Sequence, residues 1–227
     1  MIALGDIHGN FRVINQYEFP KGTNIIQVGD FGLGFDKKDE QTMDYWNKSW
    51  EARGYHIYAI RGNHDDPKWW DGRHDGRWSN IHLVQDYAVL HLEGKNILCV
   101  GGAVSVDRIR RFEGRDYWKD EVFIMDVDKL ASALEGTKID IVVTHTAPQF
   151  CYPPTKGPLV SHFSERDVNL MSDLKYERAL VDTMFHYMVQ RDNKPGKWVY
   201  GHFHDDNVEY IEDVKFVLLG IGEITNL

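Results

Sequence analysis

The segment Arg61-Gly62-Asn63-His64-Asp65-Asp66 follows the apolar run Ile57–Ile60 and contains no hydrophobic residue. Four other apolar runs end in a similar way. Ile2-Ala3-Leu4 leads into Gly5-Asp6-Ile7-His8-Gly9, and Ile25-Ile26-Gln27-Val28 into Gly29-Asp30. Ile141-Val142-Val143-Thr144 leads into His145, and Trp198-Val199-Tyr200 into Gly201-His202-Phe203-His204. Collected, the endings offer Asp6, His8, Asp30, Asn63, His64, His145, His202 and His204: carboxylate, amide and imidazole donors without a thiolate. Such a set suits first-row divalent ions such as Mn, Fe or Zn, and disfavours both calcium cages and Cys-based structural zinc. It also exceeds what one ion needs. Two ions about 3.5–4 Å apart can share a carboxylate, generate hydroxide at neutral pH and stabilise both oxygens of an in-line displacement. The chemistry this suggests is phosphate-ester hydrolysis.

These donors are far apart in sequence, so the elements between them must do the positioning. The short apolar runs are rich in β-branched residues, which predicts buried strands at 2–4, 24–28, 56–60, 96–100, 139–144, 198–200 and 216–219. Helix-like stretches at 40–52, 127–134 and 175–190 alternate with them, which places the chain in the α/β class. The pieces near 207–211 and 215–219 read as a hairpin. A mixed sheet, or two sheets packed together with helices outside, is the expected outcome. Ligands bind at the carboxyl ends of strands in α/β sheets, so the five endings are expected to converge. Glycine stands between strand and polar group in four of them, where the chain must turn sharply or approach an ion closely.

The bulk properties agree with one compact domain over residues 1–227. With 42% hydrophobic residues the chain can bury one large core, and no linker, low-complexity tract or internal repeat divides it. A formal charge of -9 argues against long duplex nucleic acid as the main partner, because such binding draws on clustered Lys and Arg. Small phosphorylated substrates are not excluded, since bound cations reverse the local field. The first charged residue is Asp6, which leaves no room for a secretory leader, and no apolar stretch approaches a membrane span. A cytoplasmic location is expected. Cys99 and Cys151 lie among apolar or aromatic neighbours and do not suggest a disulfide framework.

The ordered set Asp-x-His, Gly-Asp, Gly-Asn-His-Asp, His and Gly-His-x-His resembles the calcineurin-like metallophosphoesterase superfamily over Asp6 to His204. The resemblance implies mixed β-sheets packed as a sandwich flanked by helices, and two bound metals. One would be held by Asp6, His8, Asp30 and His204, and the other by Asp30, Asn63, His145 and His202, with Asp30 and a hydroxide bridging them. His64 would face the scissile bond as the acid that protonates the leaving oxygen, a task within reach of imidazole near neutral pH. One departure matters. Protein phosphatases of the superfamily continue Gly-Asp as Gly-Asp-x-x-Asp-Arg-Gly, whereas Leu33 and Gly34 stand at those two places here. His64 therefore lacks its usual aspartate, for which Asp65 or Asp66 are candidate substitutes, and a Ser/Thr phosphoprotein substrate loses weight against a small phosphoester or nucleotide. A non-catalytic interaction module on the same fold is the alternative from another class, and the intact donor set speaks against it.

The remaining candidates are less specific. Arg61, Arg108 and Arg111 are candidate phosphate ligands because guanidinium forks suit phosphate oxygens, with a solvated basic loop as the competing reading for 108–115. Trp69, Trp70 and Trp78 with Arg73 and Arg77 either stack a nucleobase or pack a lid or interface, and packing is the commoner use. The stretch Tyr152–Pro158 reads as a loop after His145 that edges the pocket. His56, His74, His82, His91, His162 and His186 are expected to be structural.

Overall fold

The computed structural model describes residues 1–227. Its elements in chain order are β1 (Ile2–Leu4), β2 (Asn24–Gln27), α1 (Asp39–Arg53), β3 (His56–Ala59), β4 (Ile81–Leu83), β5 (Ala88–Leu92), β6 (Lys95–Val100), α2 (Val127–Leu134), β7 (Ile141–Thr144), α3 (Pro158–Ser164), α4 (Leu170–Val189), β8 (Lys197–Tyr200), β9 (Asn207–Ile211), β10 (Val214–Leu218) and β11 (Ile224–Asn226). The runs read as strands and the stretches read as helices are present, with α4 starting five residues earlier than its apolar pattern suggests. Strands β4, β5 and β11 and helix α3 were not anticipated.

Two mixed sheets form the centre. The first has the order β11-β1-β2-β3-β4 and is parallel except for β11 at its edge. The second has the order β5-β6-β7-β8-β10-β9, with parallel pairs in the middle and an antiparallel partner on each flank. Their inner faces share one apolar layer in which Ala3, Ile26, Val28 and Ile60 from the first sheet meet Ile97, Cys99, Val143, Val199 and Val217 from the second. Burial on both faces explains why these strands are continuous apolar runs rather than alternating ones.

Helices cover the outside. Met43 and Trp50 of α1 pack with Leu4, Ile25 and Ile57 of the first sheet, and Leu130 of α2 with Val181, Phe185 and Met188 of α4 packs with Val142, Trp198 and Phe216 of the second. Gly54 ends α1 in the left-handed conformation at φ 70, and the Asp126 carboxylate caps α2 by accepting from the Lys129 N–H at 3.0 Å. No helix is long and apolar enough to cross a membrane.

The tryptophan segment belongs to this packing. The Trp70 indole donates to the Ala59 carbonyl at 2.8 Å and that of Trp78 to Asp44 at 2.8 Å, while Trp69, His74 and Trp78 stack on one another. Arg73 and Arg77 pair with Asp71 and Glu40.

Asp65 ties the β2 and β3 endings together. Its buried carboxylate accepts from Gly62 N–H at 2.7 Å, Gly32 N–H at 2.6 Å, and Phe31 and Leu33 N–H at 3.1 Å each. Asp65→Ala leaves those donors unpartnered. Each orphaned group costs about 1–3 kcal/mol, so urea denaturation of the variant is expected to show a loss on the order of 3 kcal/mol or more. A loss under about 1 kcal/mol would contradict this role.

Candidate active site

Strands β1, β2 and β3 of one sheet and β7 and β8 of the other bring their carboxyl ends to a common rim. Backbone bonds stitch the endings: His8 N–H donates to the Asp30 carbonyl at 2.8 Å, and Gly201 N–H to the His145 carbonyl at 3.1 Å. Side-chain oxygens of Asp6, Asp30 and ring nitrogens of His8 and His204 all lie within 4.8 Å of one another. The two imidazoles approach to 2.9 Å between their Nε2 atoms, and His204 Nε2 is 3.4 Å from Asp6 Oδ2. On the other side of Asp30, His145 Nε2 lies 3.2 Å from Asp30 Oδ1 and 3.1 Å from Asn63 Oδ1. The His202 ring stands edge-on to His145 at 5.1 Å between centroids.

Close approach of backbone to carboxylate makes this possible. A Cβ at Gly62 would lie 2.1 Å from Asp30 Oδ1, and one at Gly201 would lie 2.2 Å from Asp6 Oδ1. His8, Asp30, His202 and His204 themselves adopt positive φ of 46, 55, 71 and 54 degrees. Non-glycine residues in that region carry strain that surrounding structure must hold, and such strain gathers at functional sites. Here it aims donor atoms inward.

Neighbours outside the donor set fix which atom each donor presents. His145 Nδ1 lies 2.8 Å from the Val28 carbonyl, which leaves Nε2 facing Asp30. The Asn63 amide nitrogen donates to Ser105 Oγ at 2.9 Å, which leaves its carbonyl oxygen facing His145. Asp30 Oδ1 accepts from His64 N–H at 2.7 Å, while the equally buried Oδ2 has no hydrogen-bond partner. A buried carboxylate oxygen without a donor is expensive, and a cation would satisfy it. The donor set and this orphaned oxygen fit a metal.

Electrostatics point the same way. Burial raises Asp30, but His145, His64 and His8 outweigh it and hold its carboxyl well below the usual range. Burial raises Asp6, and His145 and His204 oppose the rise. Burial lowers His145, yet Asp30, Asp6 and the Val28 carbonyl overrule it and lift the ring to about 9. Burial drives His202 well below its ordinary value, and His145 adds to this. Asp30 and His145 hold one another in charged form, so a cation must displace the proton on His145 Nε2 to bind there. Metal uptake near neutral pH is therefore expected to release a proton, and apparent affinity to climb up to about tenfold per pH unit until the ring's own pKa is passed. Calorimetry in two buffers of different ionisation enthalpy checks this; uptake without proton release contradicts it.

The sequence matches the family model for calcineurin-like phosphoesterases over residues 1–206. The chain belongs to that family. Among solved structures, a Staphylococcus aureus protein provisionally named a 5′-nucleotidase aligns with a TM-score of 0.53 at 12% identity, covering 98% of this chain and 49% of that one. The phosphopantetheinyl hydrolase of Mycobacterium tuberculosis aligns with a TM-score of 0.48 at 15% identity, covering 97% and 89%. An archaeal phosphodiesterase gives 0.40 at 14%, covering 97% and 84%. The likeness is one of fold, and the chain spans about half the length of the first of the three. No curated protein matches the sequence.

Within this site the three candidate arginines part company. Arg61 is buried and spends all five N–H donors, on Asp86 and on the carbonyls of Asp120, Glu121 and Val122. It is a tie between loops and does not line the cleft. Arg108 grips Asp167 at 2.6 Å and Asp173 at 2.6 Å, fastening its loop to α4. It too stays out of the cleft. Arg111 lines the cleft: Nη1 donates to Ser105 Oγ at 3.2 Å, while Nη2 reaches Asp107 at 2.7 Å and the Nε2 of His64. Because guanidinium only donates, His64 Nε2 accepts here and the ring is neutral; burial first and Arg111 next lower it to about 4.

Neither Asp65 nor Asp66 orients His64. Asp65 serves backbone N–H groups, and Asp66 caps the short turn that follows by accepting from Lys68 N–H at 3.1 Å. An arginine could not stand at Gly34, whose φ is 100 degrees and whose added Cβ would meet the Asp66 Cβ at 2.2 Å.

Three supporting residues escape motif reading. Ser105 orients both Asn63 and Arg111, and the buried Glu121 backs it by accepting from Ser105 N–H at 3.3 Å. Burial lifts Glu121 to about 7 against the pull of Ser105, Trp118 and Arg111. Gln27 holds the two glycines that precede Asp6 and Asp30, accepting from Gly29 N–H at 3.1 Å and donating to the Gly5 carbonyl at 3.4 Å. A lone glutamine in the apolar run Ile25–Val28 was the signal for it.

Proposed function

We propose that the protein hydrolyses a small phosphoester, with nucleotides among the candidates, using two divalent first-row cations drawn from Mn, Fe and Zn. The observation that carries this reading is the buried Oδ2 of Asp30, which accepts no hydrogen bond, in a cluster with Asp6, His8 and His204 and with His145 and Asn63 on the carboxylate's other side. Asp6, His8, Asp30 and His204 would hold one cation, and Asp30, Asn63, His145 and His202 the other. When bound, such a pair supplies an acidified water and Lewis-acid polarisation of phosphoryl oxygens.

The chain's own groups account for binding and proton handling. Arg111 lines the cleft beside His64, so a phosphoryl oxygen entering there would compete with Ser105, Asp107 and His64 for its N–H groups. As Arg111 turns to the phosphate, His64 exchanges a cationic neighbour for an anionic one. Its pKa then rises from about 4, and Nε2 becomes able to carry the proton delivered to the departing alcohol oxygen. A phosphoprotein substrate has less support, because Leu33, packed in the apolar core, stands where that branch has its aspartate, and Gly34 has no room for its arginine. A non-catalytic module would not need a set of strained ligands aimed at an unpartnered carboxylate oxygen.

Asp30→Asn is expected to abolish metal retention and turnover together, read by metal analysis and by hydrolysis of aryl phosphates with added Mn, Zn or Mg; full activity in this variant would end the reading. His64→Asn is expected to keep its metals and to slow alkyl esters by about 100-fold or more, with a much smaller effect on 4-nitrophenyl esters, whose leaving group needs no proton. Equal slowing of both contradicts the acid role.

A further inference from the structure

Beyond the donor set the cleft continues into an arm of different chemistry, and the whole cavity measures about 520 Å³. Its walls there are Val106, Pro154, Leu159, Val160, Phe163 and Phe203, contributed by the loop after β6, the loop after β7, helix α3 and the residue between the two histidines of the last motif. Phe203 is braced edge-on against Tyr200 and His202 and lies over the Arg178 guanidinium at 5.2 Å, so one face of the arm is rigid and begins beside the metal ligands. Leu159 is 59% exposed although it lines this cavity, an apolar side chain held in water at its mouth.

Charge is scarce along the arm: past Arg111 the one cation that lines it is Arg178, while Arg110 stacks on the Phe163 ring at 4.7 Å without lining the cavity. Arg178 lines the arm, yet its N–H groups are all taken by the carbonyls of Ala147, Pro148, Cys151 and Pro153 and by Thr155 Oγ1. Arg111 sits at the reacting end with Asp107. The arm therefore offers one phosphoryl site and, past it, an apolar trough.

Resting on the phosphoesterase reading, we infer that the group attached to the reacting phosphate is uncharged and apolar, an aryl or alkyl body that lies along α3 and Phe203. Its recognition comes from apolar area removed from water, and the residues that line the arm offer a second phosphate no free cation.

The test uses the full chain loaded with Mn. Two ester series keep leaving-group acidity constant while length varies: 4-alkylphenyl phosphates from methyl to octyl, and alkyl 4-nitrophenyl phosphates of the same lengths. In at least one, kcat/KM is expected to rise by about 2- to 4-fold per methylene until the trough is filled. Leu159→Asp, at an exposed position, is expected to flatten that slope. In parallel, calorimetry compares methylphosphonate with octylphosphonate, and the octyl compound is expected to bind at least about 100-fold tighter. Hydrolysis with no length dependence in either series, or equal binding of the two phosphonates, overturns the inference and leaves the phosphoesterase reading standing. Failure to hydrolyse any ester removes the phosphoesterase reading, and the phosphonate titration then decides the arm.

Discussion

Two carboxylates, Asp6 and Asp30, lie fully buried at neighbouring strand ends with their oxygens in one small cluster. Two like charges taken out of water together are tolerated only when opposite charge reaches them. In the chain alone that charge comes from imidazoles, chiefly His145, which the acids lift to about 9. This compensation is incomplete: one oxygen of Asp30 accepts no hydrogen bond, His8 Nδ1 standing 3.7 Å away. The rest of the rim follows from this demand. Each donor sits where it can face one of the two acids, and the fold spends glycines at Gly62 and Gly201 so that backbone can come within touching distance of them.

A second layer keeps the first from collapsing onto itself. Free imidazole and amide groups beside acids would choose whichever hydrogen bonds were nearest. The Val28 carbonyl, Ser105 and Gln27 remove those choices by occupying the atom on the far side of His145, Asn63 and the two pre-aspartate glycines. Ser105 is also bonded to Arg111, so the group that fixes a ligand and the group that would meet phosphate share one hydroxyl. The apolar wall begins directly beyond, at Val106 and Phe203, and the change from polar rim to apolar arm occurs within a residue or two of the ligands.

The five strand endings and the helices α1, α2 and α4 were legible because buried parallel strands and amphipathic helices leave periodic or continuous apolar signatures, and because Gly followed by Asp, Asn or His breaks them sharply. Strands β4 and β11 were not, since each is a three-residue piece broken by a polar residue, and β5, four of whose five residues are apolar, is interrupted by His91 and only partly buried. Helix α3 carries a readable start in Gly157-Pro158, with proline at its first turn, but the same residues also suit the end of a loop. The arginines show a different limit. Arg61 adjoins Gly62 in sequence yet turns to Asp86 and a ring of carbonyls, whereas Arg111, with no motif around it, reaches His64. Direction of a long side chain is set by tertiary partners, here acids and carbonyls from distant loops, and local sequence does not record them.

The claim on which the account stands is that Asp30 joins two cations. Anomalous diffraction from a crystal of the Mn-loaded protein tests it directly. Two manganese peaks about 3.5–4 Å apart, both within bonding distance of Asp30, are expected, one beside His8 and His204 and the other beside Asn63 and His145. A single peak, or two peaks that do not share Asp30, would contradict it.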